Sequence, residues 1–267
     1  MKKILILLNL LFITGVCYGK TEILWYGHSG FNIKTPSGKI LLIDPWITNP
    51  ANREGKKQLE ELKNVDLILL THAHGDHIGN TVEIAKKTNA KLVATFDLGK
   101  AMVNYAGFPE KQFGYETTGN LGGEISLLNG EVKVLFVPAL HSSALETTGS
   151  PRGLIYGGNP GGFLITIKNG PTIYHTGDTD LFEDMKLIGE LYKVDIMLVC
   201  IGDRFTMGPK RAALAVKYVK PKIVIPMHYG TFPVLTGTVD DFEKSLIEEK
   251  VTSILKKLKI GETIIFE

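Results

Sequence analysis

Short apolar runs broken by turn residues dominate the chain from residue 22 onward. Glu22–Tyr26 and Phe31–Thr35 flank the turn Gly27-His28-Ser29-Gly30, and Pro36-Ser37-Gly38 makes a second turn. Lys39–Ile43 is a nearly continuous apolar strand that stops at Asp44-Pro45. The pattern predicts a β-meander. Residues 49 to 57, with Pro50, Asn52 and Gly55, read as a polar loop. Val65–Leu70 is mostly apolar, as expected of a strand buried on both faces. A short polar loop follows, then a helix through about Lys87. Lys91–Ala94 reads as a strand, and Leu98–Tyr105 as a helix closed by Gly107.

The second half has the same character. Glu124–Leu128, Val132–Pro138 and Gly162–Lys168 read as strands with Gly or Asn turns between them. Thr172–His175 is a strand ending in Thr176-Gly177-Asp178, followed by a helix over Leu181–Leu191 and a strand over Ile196–Ile201. Ala212–Tyr218 is a helix, Ile223–Pro226 a strand, Val239–Lys250 a helix and Thr263–Phe266 a closing strand. Strand-rich and helix-containing segments occur in both halves. This predicts an α+β fold of two mixed β-sheets packed face to face with helices on the outer faces, an αββα sandwich. No solenoid repeat, low-complexity tract or internal linker is visible.

Composition changes the picture only at the N-terminus. The 267 residues are 44% hydrophobic and 22% charged, an ordinary globular balance. The formal net charge of +2 and the lack of a basic stripe with interleaved aromatics argue against a nucleic-acid partner. Met1-Lys2-Lys3 is a basic start, Ile4 to Val16 is an apolar stretch, and Cys17-Tyr18-Gly19 has small residues at both ends. This reads as a signal peptide over residues 1–19, with residues 20–267 as the mature domain, exported to a periplasm or beyond. The apolar run is shorter than the roughly 20 residues of a bilayer span, so no membrane attachment is expected after processing. Acylation at Cys17 ranks lower because Val16 is large for that processing. Cys200, alone in the mature chain, has no disulfide partner and reads as a buried small hydrophobe.

The chemistry concentrates after Val65–Leu70. Residues 71 to 77 read Thr-His-Ala-His-Gly-Asp-His, so that His72, His74, Asp76 and His77 form an H-x-H-x-D-H cluster. Imidazole and carboxylate are the ligands for first-row metals available without thiolates. Ligands at i and i+2 extend the same way from an extended backbone, and the pair after Gly75 swings elsewhere as the chain turns. One loop can therefore serve two metal ions. The competing reading is an incidental polar loop, but the chain has only seven histidines and three are here. Four more candidates sit just past apolar strands: Asp44, His141, Asp178 and His228. A rigid scaffold collects side chains from distant sequence in this way.

These motifs resemble the metallo-β-lactamase superfamily, and within it the branch of metal-dependent hydrolases related to ascorbate-6-phosphate lactonases. The matching pieces run in order along the mature chain: Trp25–Phe31, Ile43-Asp44-Pro45, Thr71–Gly79, Pro138–Ser143, Tyr156–Phe163, Tyr174–Thr179, Ile201–Pro209 and Pro226–Pro233. The resemblance implies the metallo-β-lactamase fold and two divalent ions, zinc by default with manganese as an alternative. It assigns His72, His74 and His141 to the first ion, Asp76, His77 and His228 to the second, and Asp178 to both. It also implies a shared water held as hydroxide at neutral pH, with Asp76 moving a proton.

Other residues stay open. His28 either contacts substrate or donates a proton, or it makes a structural hydrogen bond. His175 is expected to support the Asp178 loop, and Asp44 to orient a ligand histidine. Arg204 reads as surface, while Gly157–Gly162 and Phe205–Met207 either wall the site or simply turn. The leading expectation is an exported binuclear hydrolase of a small-molecule lactone or phosphodiester. The alternatives are β-lactam or other ester and amide hydrolysis, an RNA-processing nuclease, and a non-catalytic metal-binding protein. Homo-oligomerisation is left open.

Overall fold

The computed structural model describes residues 19–146 and 153–267. The leader expected over residues 1–19 lies outside the described residues except for Gly19. The described residues form two seven-stranded sheets and a small hairpin. In the first sheet, β1 (Thr21–Gly27), β2 (Gly30–Lys34) and β3 (Ile40–Ile43) are the antiparallel meander. The sheet continues in parallel through β4 (Leu67–Leu69), β5 (Lys91–Thr95) and the two-residue β6 (Thr118–Gly119).

The second sheet contains β7 (Glu124–Leu127), β8 (Val132–Pro138), β11 (Gly161–Ile167), β12 (Thr172–His175), β13 (Ile196–Cys200), β14 (Ile223–Met227) and β15 (Ile254–Leu255). Its order is β15-β14-β13-β12-β11-β8-β7, parallel from β12 to β15 and antiparallel beyond. The hairpin of β9 (Ala144–Glu146) and β10 (Leu154–Tyr156) stands apart, and β16 (Thr263–Phe266) returns to pair with β1.

Period-two alternation places the core. Ile23, Phe31, Ile33, Leu41, Ile43, Leu67 and Leu69 meet Val134, Phe136, Phe163, Ile165 and Ile173 between the sheets. The intervening residues Leu42, Ile68 and Leu92 face the other way, onto the helices α1 (Gly55–Glu61), α3 (Thr81–Thr88) and α4 (Phe96–Ala101). Parallel strands buried on both faces explain why β4 and its neighbours read as continuous apolar runs. Burying each such side chain contributes on the order of 1.5–3 kcal/mol. Helices α5 (Met185–Leu191), α6 (Pro209–Val219) and α7 (Val239–Glu248) cover the second sheet through Met185, Ala212, Val216 and Phe242. The αββα expectation holds.

Three local expectations change. The polar stretch 49–57 ends in α1, a seven-residue helix. The helix after the histidine loop is two pieces, α2 (Gly75–Ile78) and α3, separated at Gly79. Gly79 has φ +33°, and a Cβ there would lie 2.5 Å from the Trp46 Cα, so only glycine lets the chain pass. The helix expected from Leu181 begins at Met185.

Candidate metal centre

All the strand-end candidates converge at one end of the sandwich. Asp44 follows β3, residues 71 to 77 follow β4, His141 follows β8, Asp178 follows β12 and His228 follows β14. The β1–β2 turn brings His28 to the same place. His28, Asp44 and His228 all have positive φ, at 50°, 43° and 56°, a backbone state that non-glycine residues keep only where the surroundings hold it.

Two donor groups form. His72 Nε2 lies 2.9 Å from His74 Nδ1, which lies 3.3 Å from His141 Nε2. Beside them, Asp76, His77 and His228 face one another together with His28. Asp178 stands between the groups. Its Oδ2 is 2.9 Å from His228 Nε2, 3.3 Å from His77 Nε2 and 3.7 Å from His141 Nε2.

Asp44 is the hub beneath them, and it is fully buried. Its Oδ1 accepts the Thr71 N–H at 2.9 Å, and its Oδ2 accepts the Thr71 hydroxyl at 2.6 Å and the His77 Nδ1–H at 2.7 Å. The Thr71 hydroxyl hydrogen is therefore committed, so His72 Nδ1, 3.0 Å from that oxygen, is the donor there. One carboxylate thus sets the orientation of His77 directly and of His72 through Thr71. Nε2 of both rings is left aimed into the centre.

The charge pattern agrees. Burial, with His77 next, pushes His72 well below the usual imidazole range. Burial also lowers His74 and His141. Burial opposes the charged form of His77 too, but Asp178 and Asp44 outweigh it and raise that ring well above the ordinary value. Burial raises Asp178, yet His228 and His77 overcome this and hold the carboxyl well below the usual range.

A cation fits this donor set. Asp178 Oδ1 is buried without a hydrogen-bond partner, and His77 Nε2 and His228 Nε2, though close to Asp178 Oδ2, make no well-aligned hydrogen bond. Buried polar atoms are rarely left so. A positive ion held by these nitrogens and oxygens would satisfy all three, and the donors are nitrogen and oxygen throughout.

His28 is hydrogen-bonded through both ring nitrogens. Its Nε2–H donates to Asp76 Oδ2 at 3.0 Å, so Nδ1 accepts the Thr231 hydroxyl at 2.9 Å. Burial, then His228, pushes His28 down to about 4. Burial also raises Asp76, but the His28 hydrogen bond and the His77 charge outweigh it and lower that carboxyl. His175 is fully buried, and its Nδ1 accepts the Gly177 N–H at 3.1 Å. Its Nε2–H donates to the Ser29 carbonyl at 3.0 Å, so it supports the Asp178 loop.

The remaining expectations sort cleanly. Cys200 is buried, and burial pushes its thiol up to about 11, so it is inert packing. Arg204 is exposed, with its guanidinium over the Phe205 ring. The glycine loop turns because it must approach the histidine loop. A Cβ on Gly157 would lie 2.2 Å from the Ala73 Cβ, and the Gly161 N–H donates to the Thr71 carbonyl at 3.1 Å. Thr71 and Thr231, to which the motifs assign no role, place their hydroxyls against the rings of His72 and His28. Each is a hydroxyl within three residues of a candidate ligand, and that adjacency was the available signal.

The beta-lactamase superfamily domain profile matches residues 39–229. A UPF0173 metal-dependent hydrolase of Thermodesulfovibrio yellowstonii is 72% identical over 267 residues, the whole of both chains. A second protein of that name, from Anaeromyxobacter sp. strain K, is 48% identical over 93% of this chain and 88% of its own. Among solved structures, Igni18, a metallo hydrolase from Ignicoccus hospitalis, aligns with a TM-score of 0.79 at 34% identity over 93% of this chain and 99% of its own. The metallo-β-lactamase fold protein YhfI of Bacillus subtilis shares the fold, with a TM-score of 0.64 at 14% identity over 92% of this chain and 99% of its own. Donor geometry, sequence and architecture point the same way, and this chain belongs to the metallo-β-lactamase superfamily, among its metal-dependent hydrolases.

Proposed function

We propose that this hydrolase is exported and works with two divalent ions on a lactone or phosphodiester. The observation that carries the reading is the meeting of two donor groups at Asp178, whose Oδ2 lies within 3.7 Å of ring nitrogens from both. His72, His74 and His141 would hold one ion, Asp76, His77 and His228 the other, and Asp178 would serve both. Zinc suits the nitrogen and oxygen donors, and manganese is the alternative. When bound, such ions supply an activated water at neutral pH and stabilise charge developing on the attacked group.

The chain's own residues do the rest. Asp44 and Thr71 hold His77 and His72 in the tautomers that turn Nε2 inward. Asp76 is the most open of the three carboxylates, with 28% of its side chain exposed against 3% and none for Asp178 and Asp44. In this reading it takes a proton from attacking water or passes one to the leaving group. His28 and Thr231 keep that carboxylate aimed. Support for export is the basic start and apolar run of the first 19 residues.

One preparation tests both parts. The protein is purified from the periplasmic fraction of a bacterial host without added metal, then analysed by mass spectrometry, elemental analysis and a lactone and phosphodiester panel. The expected result is a chain beginning near Lys20, about two equivalents of a transition metal and turnover on one substrate class. An uncleaved chain confined to the cytoplasm refutes export. A single equivalent in active protein refutes the binuclear reading.

A further inference from the structure

An aromatic wall flanks the donor set on the His28 side. Trp46 meets the His28 ring edge-on at 5.5 Å and 89°, and Phe232 meets it at 6.0 Å and 77°. The two large rings stack on each other at 5.8 Å and 29°. His28 in turn donates to Asp76, so the wall stands one side chain away from the candidate ligands. Neither ring belongs to either hydrophobic core cluster. Phe232 is 37% exposed and Trp46 is only partly buried. Leu140, beside His141, is 55% exposed.

Contiguous apolar side chains left open beside a polar centre are a mark of a ligand-binding surface. Among the described residues, no lysine or arginine pairs with Asp44, Asp76 or Asp178. Arg204, the basic residue of the β13–α6 loop, is turned onto Phe205. The polar end of a ligand is therefore left to the donor set, and its other end to the rings.

We propose that Trp46 and Phe232 form a subsite for an aryl or similarly flat apolar group that the substrate carries next to its scissile bond. This rests on the reading of the donor set as the reaction centre. Offset stacking and edge contacts with two rings favour a planar group over a bulky aliphatic one of equal area.

The test compares phenylphosphonate with methylphosphonate on the zinc-loaded mature protein. The two present the same oxygen donors and differ only in the ring. Affinity is read by calorimetry and by fluorescence. The chain has two tryptophans, and Trp25 donates its indole N–H to the His28 carbonyl at 3.1 Å, so a fluorescence change on binding is assigned to Trp46 by its loss in Trp46→Phe. Phenylphosphonate is expected to bind about tenfold more tightly and to change the fluorescence. In Phe232→Ala that preference should fall below about threefold with metal content unchanged, while Phe232→Tyr should keep it. Equal affinity of the two phosphonates for the unmodified protein overturns the aromatic subsite and leaves the metal centre standing. A preference that survives both Phe232→Ala and Trp46→Ala overturns it too. Binding of neither phosphonate overturns the subsite together with the reading of the donor set.

Discussion

The two sheets contribute to the donor set in opposite ways. The first sheet delivers His72, His74, Asp76 and His77 from one loop after β4. The second delivers one residue per strand end: His141 after β8, Asp178 after β12 and His228 after β14. The loop's geometry is largely local. His72 and His77 are oriented by Asp44 and Thr71, which stand just past the adjoining strands β3 and β4 of the same sheet. The second sheet's donors are held by strand register and by how the sheets pack. The lesson is that the loop supplies the ligand cluster, while the sandwich determines whether that cluster becomes a centre.

Asp178→Ala attacks the joint between the two regions, and the largest effect is expected there. Asp178 lies close to nitrogens from both donor groups, so on the proposed binuclear reading both would lose a ligand. Activity should fall by more than the ~100-fold that bounds loss of an outer partner, and metal content should fall below that of the parent. His74→Ala removes a donor from one group alone and should leave the Asp76, His77 and His228 group able to hold metal. Elemental analysis of the two variants side by side decides the matter. Equal metal loss in both would mean that the two donor groups are one indivisible unit, to which loop and strand ends contribute alike. Full metal retention in Asp178→Ala would show that the second sheet contributes no ligand there.

Asp44→Asn tests how self-contained the loop is. The carboxylate accepts three donors, Thr71 N–H, Thr71 O–H and His77 Nδ1–H. An amide of the same shape presents an N–H₂ to at least one of them. Metal affinity should drop by roughly 10- to 100-fold, and a buried unpaired donor should lower stability by about 1–3 kcal/mol. Metal titration and thermal melting check the two effects. Unchanged affinity would mean that the loop holds its rings without the β3 carboxylate.

The same contrast explains what was legible in the sequence. The histidine loop was readable because its spacing is itself the geometry. His141, Asp178 and His228 were readable because each ends an apolar run at a sheet edge. The hub was only half readable. Asp44 stood out as a strand-end acid, but its grip on Thr71 depends on β3 pairing with β4. The split between α2 and α3 was hidden because it arises from the close approach of Gly79 to Trp46, a contact between segments. Helix α1 escaped because seven residues with Leu59 as the one deeply buried side chain carry no helical period. The aromatic wall also escaped, since Trp46 and Phe232 are far apart in sequence and meet only at His28.

The mildest prediction concerns the strut that joins the two regions. His175 lies on β12 of the second sheet, yet its Nε2–H is donated to the Ser29 carbonyl in the β1–β2 turn of the first. Its other nitrogen accepts from Gly177, next to Asp178. One neutral ring therefore couples the turn bearing His28 to the loop bearing Asp178, and burial keeps it neutral by lowering its pKa. His175→Leu would fill the space but leave the Ser29 carbonyl and the Gly177 N–H unpaired, at about 1–3 kcal/mol for each buried group. His175→Gln offers a donor and an acceptor and should recover part of that loss. If the ring works as a coupling strut, the Leu variant should also bind metal more weakly, by less than the ~10-fold lower bound for outer partners of a ligand, and Gln should restore it. A melting temperature that falls while metal affinity stays at the parent level would show that the ring stabilises the sandwich without transmitting its register to the centre. The second sheet's donors would then be held by their strands alone.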